Sequence, residues 1–266
     1  MNAAIQAGER VGSRTSTSRA RNGQGFIKFR EGSIDIAEKC WKTVLASARP
    51  EDSENITIAK IGRIYILVAK EKTREAMKML EAVDQSVPPL FRTVYYGLLS
   101  MCYLQLDRPQ VAIDIASSVI DTILQYRFHS VVTESYFYTL EVLLLIWEAD
   151  TQSKFLSNDL KNKTKALLSK IDNMLIKIPA AKPRALIYRG MYEWVTGNLT
   201  KAERRWQEAL ALASSMRLKL DQAMACFELE RHYLMATKHY RAETSLYTQI
   251  GLPKPFRPNS NFGSTL

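Results

Sequence analysis

Residues 183–213, PRALIYRGMYEWVTGNLTKAERRWQEALALA, contain the pattern that decides the fold. Ala185 and Gly190 are small residues in the first half of the stretch, and Gly197 punctuates its middle. Ala202, Trp206 and Ala209 then follow at i, i+4 and i+7, on one face of a 3.6-residue helix. Small residues at these places let two antiparallel helices approach closely, and one large aromatic fills the gap that remains. The stretch predicts a helical hairpin, with Ala202 packed against the Gly190 region and Trp206 buried.

The small residue of the second helix recurs along the chain at Ala37, Ala76, Ala112, Ala166, Ala202 and Ala242, in steps of 39, 36, 54, 36 and 40 residues. Gly32, Ala37 and Trp41 repeat the spacing of Gly197, Ala202 and Trp206. Tyr103 accompanies Ala112, and Leu229 and Tyr233 accompany Ala242. Pro88 and Pro89 end the second unit, because a residue without an amide donor closes a helix. Ala166 carries least of the pattern. The 54-residue step before it predicts an insertion around residues 150–161 or a longer hairpin. The first unit lacks most of its leading helix, so the Ala37 helix is expected to be exposed on one flank unless the chain is a fragment.

This unit resembles the tetratricopeptide repeat, which is about 34 residues long with small residues at its eighth, twentieth and twenty-seventh positions. Gly190, Ala202 and Ala209 fall on those three, and Leu199 and Trp206 fit the bulky sites between them. The resemblance implies an all-α fold, a right-handed α-solenoid of about five to six hairpins over residues 23–252. Each hairpin of such an array buries its apolar face on the next.

The resemblance also implies a concave surface lined by the second, fifth, ninth and twelfth positions of each leading helix. Here these are Ile58, Ile61, Tyr65 and Val68; Val94, Gly97, Met101 and Leu104; Arg184, Ile187, Met191 and Trp194. Tyr65, Met101, Leu104, Ile187, Met191 and Trp194 are therefore the expected partner-binding residues. They would form an apolar groove suited to an amphipathic helical peptide or a partner domain. The Lys and Asn with which some family members grip acidic chaperone tails are missing. The competing reading makes the same residues inter-repeat core, since a one-residue slip turns a helical side chain by about 100°. Residues 183–250 further resemble the helical C-terminal regions of soluble adenylyl cyclases and related multidomain signalling ATPases, through GNLTKAERRWQEALALA and DQAMACFELERHYL. That likeness implies a regulatory fragment. The chain contains no cyclase domain or phosphate loop.

Charge narrows the partner class. The net charge is +10, of which residues 1–30 hold +5 and Lys254 and Arg257 add +2, leaving +3 for the body. A basic RNA-binding repeat protein is the alternative reading. Phosphate binding, however, needs a clustered basic face on the folded body, so nucleic acid is not the expected partner. Residues 1–22 and 253–266, rich in Arg, Ser, Thr, Asn and Pro, are expected to be disordered. The first of these, with Glu9 as its single acid, resembles a transit peptide in composition only.

Cys40, Cys102 and Cys226 are widely spaced, without a CxxC pair, which predicts a reducing compartment and a cytoplasmic location. Glycosylation at the N-x-T sequences of Asn55, Asn162 and Asn198 is then not expected. The longest apolar runs fall short of the roughly 20 residues of a membrane helix. No GxSxG, HExxH, P-loop or GxGxxG occurs, so a non-enzymatic protein without cofactor or metal is expected. Glu228, Glu230, His232 and His239 have helical metal-ligand spacing. Leu229 and Tyr233, as core positions, would turn those polar residues to solvent. The C-terminal Ser264 and Leu266 resemble the hydroxyl and aliphatic positions of a PDZ ligand.

Overall fold

The computed structural model describes residues 2–82, 89–125, 133–150, 155–175, 177–233 and 243–258, and among them it is all-helical, with no strand. Its α-helices in chain order are α1 (Asn2–Arg10), α2 (Arg14–Arg30), α3 (Ile34–Ser47), α4 (Ser53–Ala69), α5 (Thr73–Glu81), α6 (Pro89–Gln105) and α7 (Pro109–Gln125). They continue with α8 (Thr133–Ala149), α9 (Asn158–Met174), α10 (Lys182–Val195), α11 (Leu199–Ser215), α12 (Lys219–Tyr233) and α13 (Glu243–Gln249). Short 3-10 turns at Pro50–Asp52 and Pro179–Ala181 lead into α4 and α10. No described helix is long and apolar enough to cross a membrane.

The punctuation read at Gly197 recurs with different residues. Three-residue links join α1 to α2, α2 to α3, α4 to α5, α6 to α7, α10 to α11 and α11 to α12. Their middle residues, Gly12, Gly32, Glu71, Asp107, Gly197 and Arg217, all have φ between 54° and 84°. In each link the next amide donates back to a carbonyl five residues earlier, as Ser33 does to Lys28 at 2.8 Å and Asn198 to Glu193 at 2.8 Å. This left-handed cap satisfies the last carbonyls of a helix and reverses the chain. Glycine is the residue suited to it, yet Glu71, Asp107 and Arg217 take the same geometry, so several links carry no Gly signal.

The hairpin of residues 183–213 forms as predicted. Helices α10 and α11 pack together, Ala202, Trp206 and Ala209 are fully buried, and the Trp206 indole N–H donates to the Ile187 carbonyl at 3.1 Å. A Cβ on Gly190 would lie 2.6 Å from Trp206 Cδ1, so only glycine admits the ring there. Trp41 has the same arrangement against α2, with Gly25 in the place of Gly190. It is enclosed from the other side by Gly62 of α4.

Helix α2 is thus the leading helix that the first unit was expected to lack, and residues 2–10 and 14–22 are helical rather than a disordered segment. Polar composition concealed this, because the buried face of α2 includes Ser18 and Asn22 beside Gly25 and Phe29. Part of this polarity is paired: Asn22 Nδ2 donates to the Asn55 carbonyl at 3.1 Å, and Thr15 Oγ1 donates to Asp52 at 2.7 Å. A correction applies at the fifth unit too. Ala166 is exposed, and the buried small residue of α9 is Thr164, whose hydroxyl donates to the Leu160 carbonyl at 2.8 Å. Ala242 lies outside the described residues.

The leading helices meet one another in sequence. Helix α2 packs on α4, α4 on α6, α6 on α8, α8 on α10 and α10 on α12, and α12 returns to α2. Helices α3, α5, α7, α9, α11 and α13 pack on their preceding partners. The return contact closes the circuit through specific side chains. Arg30 at the end of α2 pairs with Asp221 in the first turn of α12, and Gly32 sits against Ile250 and Lys219.

Candidate functional site

Because the inner helices touch in a closed circuit, the face expected as an open groove is turned into packing. Tyr65, Met101, Leu104, Ile187 and Met191 are all buried, with at most 4% of their surface exposed. Tyr65 shows why. Its ring stacks on Phe29 of α2 (centroids 6.4 Å) and on Tyr138 of α8 (5.2 Å), and Phe26 meets it edge-on at 5.8 Å. Aromatic side chains from different hairpins therefore fill the interior. Trp194 is the one expected groove residue that is only partly buried, and it packs inward, 3.7 Å from the His232 ring and 6.1 Å from Trp206. The six residues do not form one accessible apolar surface.

Sequence reasoning missed an interior set of charges. Asp221 is wholly buried, and Arg184 Nε and Arg30 Nε donate to its two carboxylate oxygens at 2.7 and 3.1 Å. Burial alone would raise its pKa, but the charges of Arg184 and Arg30 and their hydrogen bonds outweigh it and hold the carboxyl below its ordinary value. Glu141 of α8 accepts from Tyr188 Oη at 2.7 Å, and here burial prevails and pushes the carboxyl up.

Further along α12, Glu228 is 1% exposed and is reached by Arg231 at 2.9 Å, by Arg257, and by His232 Nε2 at 3.5 Å. Arg231 and His232 also reach Glu148 of α8, at 2.8 and 3.5 Å. Burial would raise the Glu228 pKa, yet Arg257 and then Arg231 keep the carboxyl well below the usual carboxylate range.

These positions correct the reading of α12. Leu229 is buried as expected, but Glu228 and the His232 side chain are buried beside it rather than turned to solvent. Helix α12 is enclosed by α2, α10, α11 and α13, so it has little open flank. Among the described residues no group of His, Cys, Asp and Glu is arranged to hold a metal ion. Glu228 and His232 are instead bound to arginines, to Glu148 and to the Trp194 and Trp206 rings. His239 lies outside the described residues, as do Ser264 and Leu266.

Residues 253–258 of the expected disordered tail are described, and they follow the buried Leu252 against the inner helices. Leu252 is buried, and the segment from Leu252 to Phe256 lines a cavity of about 90 Å³ together with Phe29, Met101, Tyr138, Glu141 and Arg184 of the inner helices. No family model, curated protein or solved structure matches the chain. The chemistry of the interior is therefore read from its own groups. Buried carboxylates face guanidinium groups, with aromatic rings beside them, and one non-helical stretch of chain lies against them.

The thiols are inert by placement. Cys40, Cys102 and Cys226 are free and buried, and burial pushes Cys102 to about 12 and Cys226 to about 11.

Proposed function

We propose that this chain is a non-enzymatic protein-interaction module of tetratricopeptide-like hairpins wound as a right-handed superhelix, a scaffold working in a reducing, cytoplasmic environment. The regular hairpins and the contacts passed between successive leading helices support the superhelical reading. Three buried free thiols support the compartment.

The observation that carries the function is the docked stretch Leu252–Pro258, a non-helical segment held against the inner helices by side-chain anchors. A surface that receives one extended segment has the pockets and charges for another. An extended segment is preferred to the amphipathic helix first expected, because the occupant seen, residues 252–258, is itself non-helical.

The test is selection of a display library of short peptides against the full chain, with affinities measured by fluorescence anisotropy. Sequence-selective binders around the micromolar range are expected. Failure to select any peptide over a scrambled pool would remove the proposal.

A further inference from the structure

Helix α13 ends at Gln249, Gly251 just beyond it lies in the left-handed region, and the Leu252 amide donates to the Tyr247 carbonyl at 3.0 Å. From there the chain runs without helix through Pro253, Pro255 and Pro258. Two adjacent side chains anchor it. Phe256 packs on the core, and Arg257 reaches inward to the buried Glu228 carboxylate with its guanidinium 4.9 Å from the centroid of the Phe227 ring. The Arg257 charge also acts on the buried Glu141. Carboxylate and aromatic face together make a specific seat for a planar cation.

We infer that this seat is a receptor for a partner's extended segment carrying an aromatic residue followed by arginine between prolines, and that residues 252–258 are its intramolecular occupant. The inference rests on the peptide-binding reading above and specifies its ligand. Three prolines fix φ in the segment, so little conformational freedom is lost when it docks. A partner with the same preorganised chemistry meets the same Glu228 and Phe227 at similar cost. The tethered copy competes at an effective concentration of the order of millimolar. The free chain is therefore self-occupied, and a partner binds by displacing its tail.

The experiment uses the full chain and a fluorescein-labelled peptide with the sequence of residues 250–258. The peptide is expected to bind the Phe256→Ala/Arg257→Ala chain at least about tenfold more tightly than the native chain, since the cis competitor is weakened. Replacing the arginine of the peptide by alanine should cost about tenfold or more on the substituted chain, an effect that leaves the protein's own folding untouched. Equal affinity for both chains, no binding to either, or indifference to the peptide's arginine overturns the inference.

Should the double variant fail to fold, amide exchange at Phe256 and Arg257 of the native chain answers the same question. Excess peptide accelerates that exchange if it displaces the tail, and unchanged exchange refutes displacement. The two readings fail separately. Library binders that leave tail exchange untouched sink the receptor inference and spare the interaction module, whereas an empty selection on both chains sinks the module as well.

Discussion

Replacing Gly190 by alanine tests the hairpin where sequence and structure agree most closely. A Cβ at this position would stand 2.6 and 2.8 Å from Trp206 Cδ1 and Cε2, inside any ordinary contact, and still closer to Nε1. The ring has little room to withdraw, since Trp206 is wholly buried and stacked on His232, with centroids 5.0 Å apart and planes 7° from parallel.

Alanine is the better helix former by roughly 1 kcal/mol, which favours the variant. Against that stand an overpacking cost of about 1–3 kcal/mol and about 1–3 kcal/mol more if the indole N–H leaves the Ile187 carbonyl. The net expectation is a loss of about 1–4 kcal/mol. Urea unfolding followed by circular dichroism should show a lower midpoint with an unchanged slope. A cycle with Trp206→Phe isolates the contact, because the smaller ring has no indole nitrogen to meet the new methyl. Gly190→Ala should then cost at least about 1 kcal/mol less in the Trp206→Phe background than in the native one. A Gly190→Ala protein as stable as the native chain, or a cost unchanged by Trp206→Phe, refutes the reasoning.

Asp221→Asn should lower stability by about 3–5 kcal/mol, since it leaves the Arg30 and Arg184 charges enclosed without their carboxylate. The folded pKa of Asp221 is depressed, so its contribution is complete above the unfolded value of about 3.9 and is lost as pH falls through the lower folded value. Unfolding midpoints measured on acidification should therefore converge for native and Asp221→Asn chains. Trp194→Ala should reduce stability by about 2 kcal/mol through lost packing on His232 and Trp206, measured by urea midpoint, in keeping with a partly buried aromatic. The three thiols should react with an aromatic disulfide reagent only at the rate of unfolding, because burial holds Cys102 near 12 and Cys226 near 11. Deleting residues 1–30 should abolish the cooperative transition, as Gly25, Phe29 and Arg30 leave Trp41, Tyr65 and Asp221, whereas loss of a loose tail would leave the transition in place.

The hairpins were legible because helix-on-helix packing leaves a local trace, such as Gly197, Ala202 and Trp206, within a few turns of chain. The first hairpin held the same trace in full. Gly25 precedes Trp41 by the same interval that separates Gly190 from Trp206, and this spacing was the available signal against the polar composition of α2. Thr164 escaped because a hydroxyl bonded to the preceding turn lets a polar residue occupy a small buried site.

The interior could not be read the same way. Arg30 and Asp221 are 191 residues apart, and no periodicity records their meeting. The burial of Glu228 depends on α8 and the tail coming together around α12, so a rule that turns charges to solvent fails there. For the same reason the expected groove residues became core. Their helical register was readable, but whether the array stayed open or closed on itself depended on these distant contacts.

Closure of the inner circuit brings together the helices on which the tail is seated, and one cross-link tests it most directly. A Cβ at Gly32 would lie 3.3 Å from the Lys219 Cβ, close to the separation that a disulfide spans, and 2.4 Å from Ile250 Cγ2, so the cross-link is made in an Ile250→Ala background that removes this methyl. In that background the Gly32→Cys/Lys219→Cys chain should form an intramolecular disulfide under mild oxidation, seen as faster migration of the denatured, unreduced protein, while each single cysteine variant stays unlinked. An oxidised double variant that keeps free thiols at both positions, with its helical content intact, would contradict the closed circuit and the peptide seat built on it.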